Sequence, residues 1–289
     1  MFWANMREEE FEKAIAQTDG LCVIPIGCFE MHGQHLPVAT DCMVAEKIAE
    51  MAAEMEPMCI FPTFRFGDIP ELVNWRGTVR LEPQLMMQLL ENLCSEISRN
   101  GFKKILILNG HGGNGPFLNF FLRSMQYKKK DYLLMARDAY QDANIEKLWA
   151  TIKENGSGYY PELLPEDEET LRNYVENGGF GGHADLEETS NVLAIHPELV
   201  RMDRMSAVSG LSSGKADRLI GEGMYWYSMW AMNFQNSYCG TDPVGASARI
   251  GKTMMRLNAE GVARACKVFK EEADSVWEWE NHRNAYYPD

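Results

Sequence analysis

The sequence predicts an α/β domain in which a mostly parallel sheet is covered by helices on both faces. Two observations carry this reading. Short, nearly continuous apolar runs at Leu21–Ile26, Lys104–Asn109 and Tyr132–Ala136 have the pattern of strands buried on both faces. Helix-period segments lie between them, and that alternation implies right-handed βαβ units.

Taken in order, the first run leads to a helix over 42–55 (CMVAEKIAEMAAEM). A second spans 83–99, opening on Pro83, a residue suited to a first helical turn, and closing at Asn100-Gly101. Gly115 to Lys129 is predicted helical from Phe117, Phe120, Phe121 and Met125 at helical spacing, and Ala139 to Glu154 is predicted helical as well. The stretch 156–182, rich in Gly, Pro and acid, breaks the rhythm; it is expected to be an excursion with one short helix, acting as a lid. Residues 186–195 read as helix up to Pro197, and a long helix is expected from Gly245 to near 280. There is no internal repeat and no dividing linker, so one domain over 1–289 is expected.

Composition removes several function classes. With 45% hydrophobic and 24% charged residues over 289 positions, the chain is neither disordered nor fibrous. No stretch approaches the roughly 18–20 apolar residues of a membrane helix. The start, MFWANMREEEFEK, is acidic where a signal peptide is basic and then apolar, so a cytoplasmic protein is expected. Seven cysteines without a CxxC pair lie mostly in apolar segments and read as reduced, packed thiols. A net charge of −14 and no basic patch beyond the short run Lys128–Lys130 argue against a nucleic-acid partner.

In open parallel sheets ligands sit beyond the carboxyl ends of the strands. Two of the predicted strands run there into polar loops, Gly27–Pro37 and Gly110–Asn114, which should meet at one site. The first brings Glu30-x-His32-x8-Asp41, and such mixed oxygen and imidazole donors suit Zn²⁺, Mn²⁺ or Fe²⁺ better than Ca²⁺ or Mg²⁺. Asp41 alone has an equally good reading as a helix N-cap. In the second loop, His111 precedes glycines that let the backbone turn into the next helix. An anion-binding turn would need the glycines but no histidine, and neither a P-loop lysine nor a GxGxxG pattern is present. A third cluster, Gly181–Ser190, adds His183, Asp185, Glu187 and Glu188. An acidic first helical turn explains Glu187, and explains Glu188 less well if Val192, Leu193 and Ile195 face inward.

These three clusters, in this order, resemble the creatininase, or creatinine amidohydrolase, family. The resemblance rests on Gly27–Pro37 with Asp41, on Asn109-Gly-His-Gly-Gly-Asn114 and on His183-Ala-Asp-Leu-Glu-Glu-Thr-Ser190. It extends to Arg76–Leu81 and Gly240–Ala246, and so covers most of the chain. It implies a three-layer α/β/α fold of the creatininase kind, assembly into a homohexamer, and two adjacent divalent ions, Zn²⁺ and/or Mn²⁺ with Fe²⁺ as an option. Carried over, Asp41 would bridge the ions, Glu30 and His111 would bind one, His32 and Glu188 the other, and His183 would transfer protons. The function so implied is hydrolysis of the C–N bond of a small, cyclic amide such as creatinine by a metal-bridging water. Alternatives are a formamide or peptide-like amide hydrolase in a cofactor pathway and a non-catalytic metal-binding scaffold.

Two positions depart from the family pattern. Gly113 stands where members acting on creatinine tend to carry a glutamate ligand, and Asp185 replaces a glycine, putting a charge near the expected substrate mouth. Of the remaining residues, His35 is expected to orient a ligand, and Cys28 and Cys42 to lie behind the ligands as thiols. His196 and His282 are expected to be structural or solvated, and Trp226 and Trp230 to serve core or subunit contacts.

Overall fold

Strand β1 (Leu21–Ile26) lies inside a four-stranded, wholly parallel sheet whose order is β2-β1-β3-β4 in this computed structural model, which describes residues 1–287. The strands beside it are β2 (Cys59–Ile60), β3 (Lys104–Asn109) and β4 (Leu133–Asp138). The helices in chain order are α1 (Phe11–Gln17), α2 (Thr40–Met55), α3 (Pro83–Arg99), α4 (Asn114–Ser124), α5 (Ile145–Asn155), α6 (Pro165–Glu176), α7 (Leu186–Ile195), α8 (Asp217–Gly221), α9 (Ser228–Asn233), α10 (Ala248–Glu271) and α11 (Ala273–Asn284).

The strand period of two divides the core. Leu21 and Val23 of β1 join Leu106 and Leu108 of β3 against Val44 and Ile48 of α2, Val192 of α7 and Val262 of α10. Cys22, Ile24 and Ile26 point the other way, with Ile105 and Ile107, onto Leu90 of α3 and Phe121 of α4. This is the expected three-layer α/β/α arrangement. Helices α7 and α10 cross closely at Gly251, where any Cβ would run into the Ser190 carbonyl. The register pairs Ile26 with Asn109, so β1 and β3 end level and release their loops at one edge.

Several boundaries differ from the sequence expectation for identifiable reasons. Strand β2 was not anticipated because two residues are too short to show a period. Helix α5 starts at Ile145 and not at Ala139, since the Asp142 and Ala143 amides donate to Asn258 Oδ1 at 2.9 Å each and the Asn144 side chain caps Lys147 N at 2.9 Å. The α4 segment tightens into a 3₁₀ turn at Met125–Tyr127. The long C-terminal helix begins after Ser247, whose hydroxyl accepts from Ile250 N at 3.2 Å, and it is broken at Glu272. Beyond that break α11 is fixed by charge, through Lys130 Nζ to Glu280 at 2.7 Å, with little apolar burial.

The excursion 156–182 contains α6, as expected, and buries Tyr160, Leu163 and Leu171 in a satellite core with Leu148, Leu186 and Ile250. Asp167 ties it to α10, accepting from Ser247 Oγ at 2.6 Å and from Arg249 Nε at 2.5 Å. No described helix is long and apolar enough to cross a membrane.

Candidate metal centre

The loops after β1 and β3 and the start of α7 gather Glu30, His32, Asp41, His111, His183 and Glu188 in one place. Glu30 and Asp41 are each only 1% exposed, which for carboxylates demands counter-charges close by. Asp41 sits in the first turn of α2 but caps nothing there. Its two oxygens diverge instead, Oδ1 to 3.2 Å from His32 Nε2 and Oδ2 to 3.0 Å from His111 Nδ1. The N-cap reading of Asp41 is thereby replaced.

The histidines are oriented by backbone carbonyls. His32 Nδ1 is 3.1 Å from the Glu30 carbonyl, His111 Nε2 is 3.1 Å from that of Asp68, and His183 Nε2 is 2.8 Å from that of Met31. A carbonyl only accepts, so each of these nitrogens carries hydrogen; the tautomers follow from the network. The opposite nitrogens all point inward at carboxylate oxygen. His111 Nδ1 is 2.9 Å from Glu30 Oε1, His32 Nε2 is 3.6 Å from Glu188 Oε2, and His183 Nδ1 is 3.8 Å from Glu30 Oε1. In a neutral ring such a nitrogen faces oxygen lone pair to lone pair, an arrangement that a shared cation relieves.

Glu30 Oε1, moreover, is buried with no hydrogen-bond partner. The donor atoms fall into overlapping sets, each within 4.8 Å: Cys28, Glu30, Asp41 and His111; His32, Asp41 and Glu188; and Glu30, His32 and His183. Asp41 belongs to the first two. The residues present therefore fit divalent cations of the zinc or manganese kind.

Where no cation takes that place, the same carboxylates draw a proton onto two of the three rings. Burial opposes charging of His32, but the carboxylates of Glu188 and Asp41 outweigh it and carry its pKa to about 10. His111 is likewise held well above 6.5 against burial, by Glu30 and Asp41. His183 behaves oppositely: burial pushes it down to about 4, and Glu30 only partly offsets this.

The surroundings correct some expectations. Asp185 does line the cavity beside Glu188, as expected, but its carboxylate is also the cap of α7, accepting from Glu188 N at 3.0 Å and Gly182 N at 2.8 Å. His35 reaches Thr189 Oγ1 at 3.1 Å, the neighbour of Glu188 and not a ligand side chain. Cys28 donates to Asp41 Oδ2 at 3.3 Å, and Cys42 to the Cys28 carbonyl at 3.2 Å, so both thiols do lie behind the cluster. His196 and His282 stand at the surface, the first near Glu198 and the second between Trp279 and Tyr286. Trp226 is 60% exposed, whereas Trp230 meets the His183 ring edge-on at 5.2 Å and 89°.

Four residues were not foreseen in these roles. Trp230 joins Tyr227 and Glu71 in walling a cavity of about 290 Å³ over Glu30, His111 and His183. Glu71 Oε2 is buried there without a partner, and nothing in its sequence context signals this. Ser237 Oγ donates to the Met31 carbonyl at 2.6 Å and lies 3.3 Å from His183 Nε2, completing that ring's support.

A family model for creatinine amidohydrolases matches residues 4–266. The chain belongs to the creatininase family. It is similar to the creatinine amidohydrolase of Pseudomonas putida, 24% identical over 216 residues that span 71% of this chain and 75% of that one. It is also similar to the mycofactocin precursor peptide peptidase of Mycolicibacterium smegmatis, 29% identical over 38% of this chain and 47% of the relative. The 3-dehydro-scyllo-inosose hydrolase of Thermotoga maritima is 26% identical over 39% and 36% respectively, so these two matches span about half of the relative or less. Among solved structures, a manganese creatininase superposes with a TM-score of 0.64 at 20% identity, covering 94% of this chain and 98% of that one. A mutant creatininase of Zn–Zn type gives 0.64 at 19%, covering 94% and 97%. Likeness at that identity establishes the creatininase fold.

Proposed function

We propose that this creatininase-family protein is a dinuclear metal amidohydrolase that cleaves the C–N bond of a small amide. The observation that carries the proposal is the divergence of the two Asp41 oxygens toward separate histidines, each of which is held at its far nitrogen by a backbone carbonyl. In this reading Asp41 is shared, Glu30 and His111 complete one ion's set, and His32 and Glu188 the other's. Zinc and manganese fit the donors, as they would Fe²⁺, and the structural relatives include a manganese and a Zn–Zn creatininase.

Bound divalent ions supply an acidified water and polarise a carbonyl oxygen. The chain's own part is proton movement. His183, fixed by the Met31 carbonyl and Ser237, keeps Nδ1 free on the cavity side and neutral near pH 7, so it can accept the water's proton. As the water oxygen joins the carbonyl carbon and the C–N bond breaks, the same nitrogen returns the proton to the departing amine. A carboxylic acid and an amine result, and transfer of the acid's proton to the amine leaves a carboxylate and an ammonium. Trp230 meets the His183 ring edge-on and forms part of the cavity wall beside it. Tyr174, Gly181 and Gly182 of the excursion line the neighbouring cavity of about 370 Å³, which supports its proposed lid role.

Creatinine is one substrate this reading allows. A peptide-like or formamide substrate is favoured by Gly113, where any Cβ would lie 2.4 Å from His111 Nε2, so no glutamate side chain fits while that ring is held. A scaffold that only holds ions would have no use for a buried, oriented His183 aimed at the cluster. We also propose a cytoplasmic homohexamer, supported by buried, unpaired cysteines and by Tyr225, Trp226 and Tyr227 lying exposed on the single chain. A screen of amides, creatinine included, on metal-loaded and chelator-treated protein tests the activity.

A further inference from the structure

Tyr140 stands just past the carboxyl end of β4, between two cavities. It lines both the cavity walled by Gly112, Glu187 and Glu188 and the space beside His111 and Asn109. Its hydroxyl oxygen is buried yet has no hydrogen-bond partner. Buried polar atoms left unpaired are uncommon, and each costs stability that phenylalanine at the same place would not. The hydroxyl therefore answers to something other than the fold.

The chemistry of its neighbours narrows the partner. A tyrosine phenol is neutral near pH 7 and hence a donor, and it shares its cavity with the acidic side chains of Glu187 and Glu188. Asp41 and Glu188 already face the inward nitrogen of His32, and Asp41 also faces His111. What this corner lacks is an outside acceptor. A carbonyl oxygen that gains negative charge among carboxylates would in turn need a neutral donor beside it.

We infer that the Tyr140 hydroxyl donates a hydrogen bond to the carbonyl oxygen of the bound substrate, and so acts as a catalytic residue at the centre. The inference rests on the amidohydrolase reading above. Neither spacing nor motif marks Tyr140 in the sequence; only the fold brings it onto cavity walls shared with Glu188 and His111.

The test is Tyr140→Phe in the full-length, metal-loaded protein, compared with wild type in ion content, melting temperature and calorimetric affinity for acetohydroxamate, whose carbonyl mimics that of an amide. The variant should keep its ions, melt at the same or a higher temperature, and bind acetohydroxamate about ten-fold more weakly, as expected when a hydrogen bond to a charged acceptor is lost. Hydrolysis of any amide found to be a substrate should fall about 10²-fold in kcat. Equal acetohydroxamate affinity in the two proteins, at equal ion content, overturns the inference. So does an absence of acetohydroxamate binding to wild type at millimolar concentration. If wild type binds acetohydroxamate but hydrolyses no amide, the amidohydrolase reading fails on its own, while the affinity comparison still decides the role of Tyr140.

Discussion

His111 Nδ1 lies 3.0 Å from Asp41 Oδ2, and the far nitrogen of the same ring is tied at 3.1 Å to the Asp68 carbonyl. The ring cannot turn away from the carboxylate without giving up that tie. The other Asp41 oxygen belongs to the His32 side, so one side chain serves both halves of the cluster. Asp41→Ala is accordingly expected to lose both ions together. Elemental analysis of the purified variant checks this, and one retained ion per chain would count against a bridging role.

Gly113 is held free of a side chain by the same ring. A Cβ there would lie 2.4 Å from His111 Nε2 and 3.0 Å from the Asp68 carbonyl, on top of the bond that orients the ligand. Gly113→Ala should weaken metal affinity by about 10–100-fold, the usual effect of losing such an orienting partner. Gly112→Ala is the control, since its Cβ would meet nothing within 4 Å. Competition with a chromogenic chelator measures both.

Asp167 gives a prediction in pH. Burial by itself would raise its pKa, but hydrogen bonds from Arg249 and Ser247 outweigh it and hold the carboxyl below 3.8. A depressed folded-state pKa means stability fully present above the unfolded value and lost as pH falls through the folded one. Asp167→Asn should cost about 1–2 kcal/mol at pH 7, at the lower end for a charged acceptor because Arg249 is partly exposed. Thermal melts of both proteins should converge below pH 3.8, and a gap unchanged down to pH 3 would contradict the assignment.

The layers were legible because burial on both faces writes itself as continuous apolar runs: β1 and β3 emerge with the expected bounds. β2 is too short for any period, and the break at Glu272 lies within an unbroken helical pattern, so neither was readable. At the site, Glu30, His32, Asp41, His111, His183 and Glu188 sit in three compact sequence clusters, of which a parallel sheet brings the first two together beyond β1 and β3, while α7, packed on α2 and α10, adds the third. Trp230, Glu71 and Tyr140 carry no such pattern. Trp230 in particular matters only because α9 lays its ring against His183, a contact set by tertiary packing and not by its spacing from Trp226.

The exposed segment around Trp226 is expected to be covered in a hexamer. Trp226→Asp should dissociate the assembly at micromolar concentration while leaving each chain folded. Light scattering on wild type and variant checks it; a monomeric wild type would contradict the assembly.

His183 and Glu188 stand in comparable positions, because Glu30, His32 and His183 also form a set within 4.8 Å, as His32, Asp41 and Glu188 do. The deciding measurement is the ion content of His183→Ala by elemental analysis, with turnover recorded on the same samples and Glu188→Ala run beside it. Two ions per chain are expected in His183→Ala with kcat reduced about 10²–10⁴-fold, and depleted metal in Glu188→Ala. A metal-depleted His183→Ala protein beside a fully loaded Glu188→Ala protein would show that the two residues hold each other's roles.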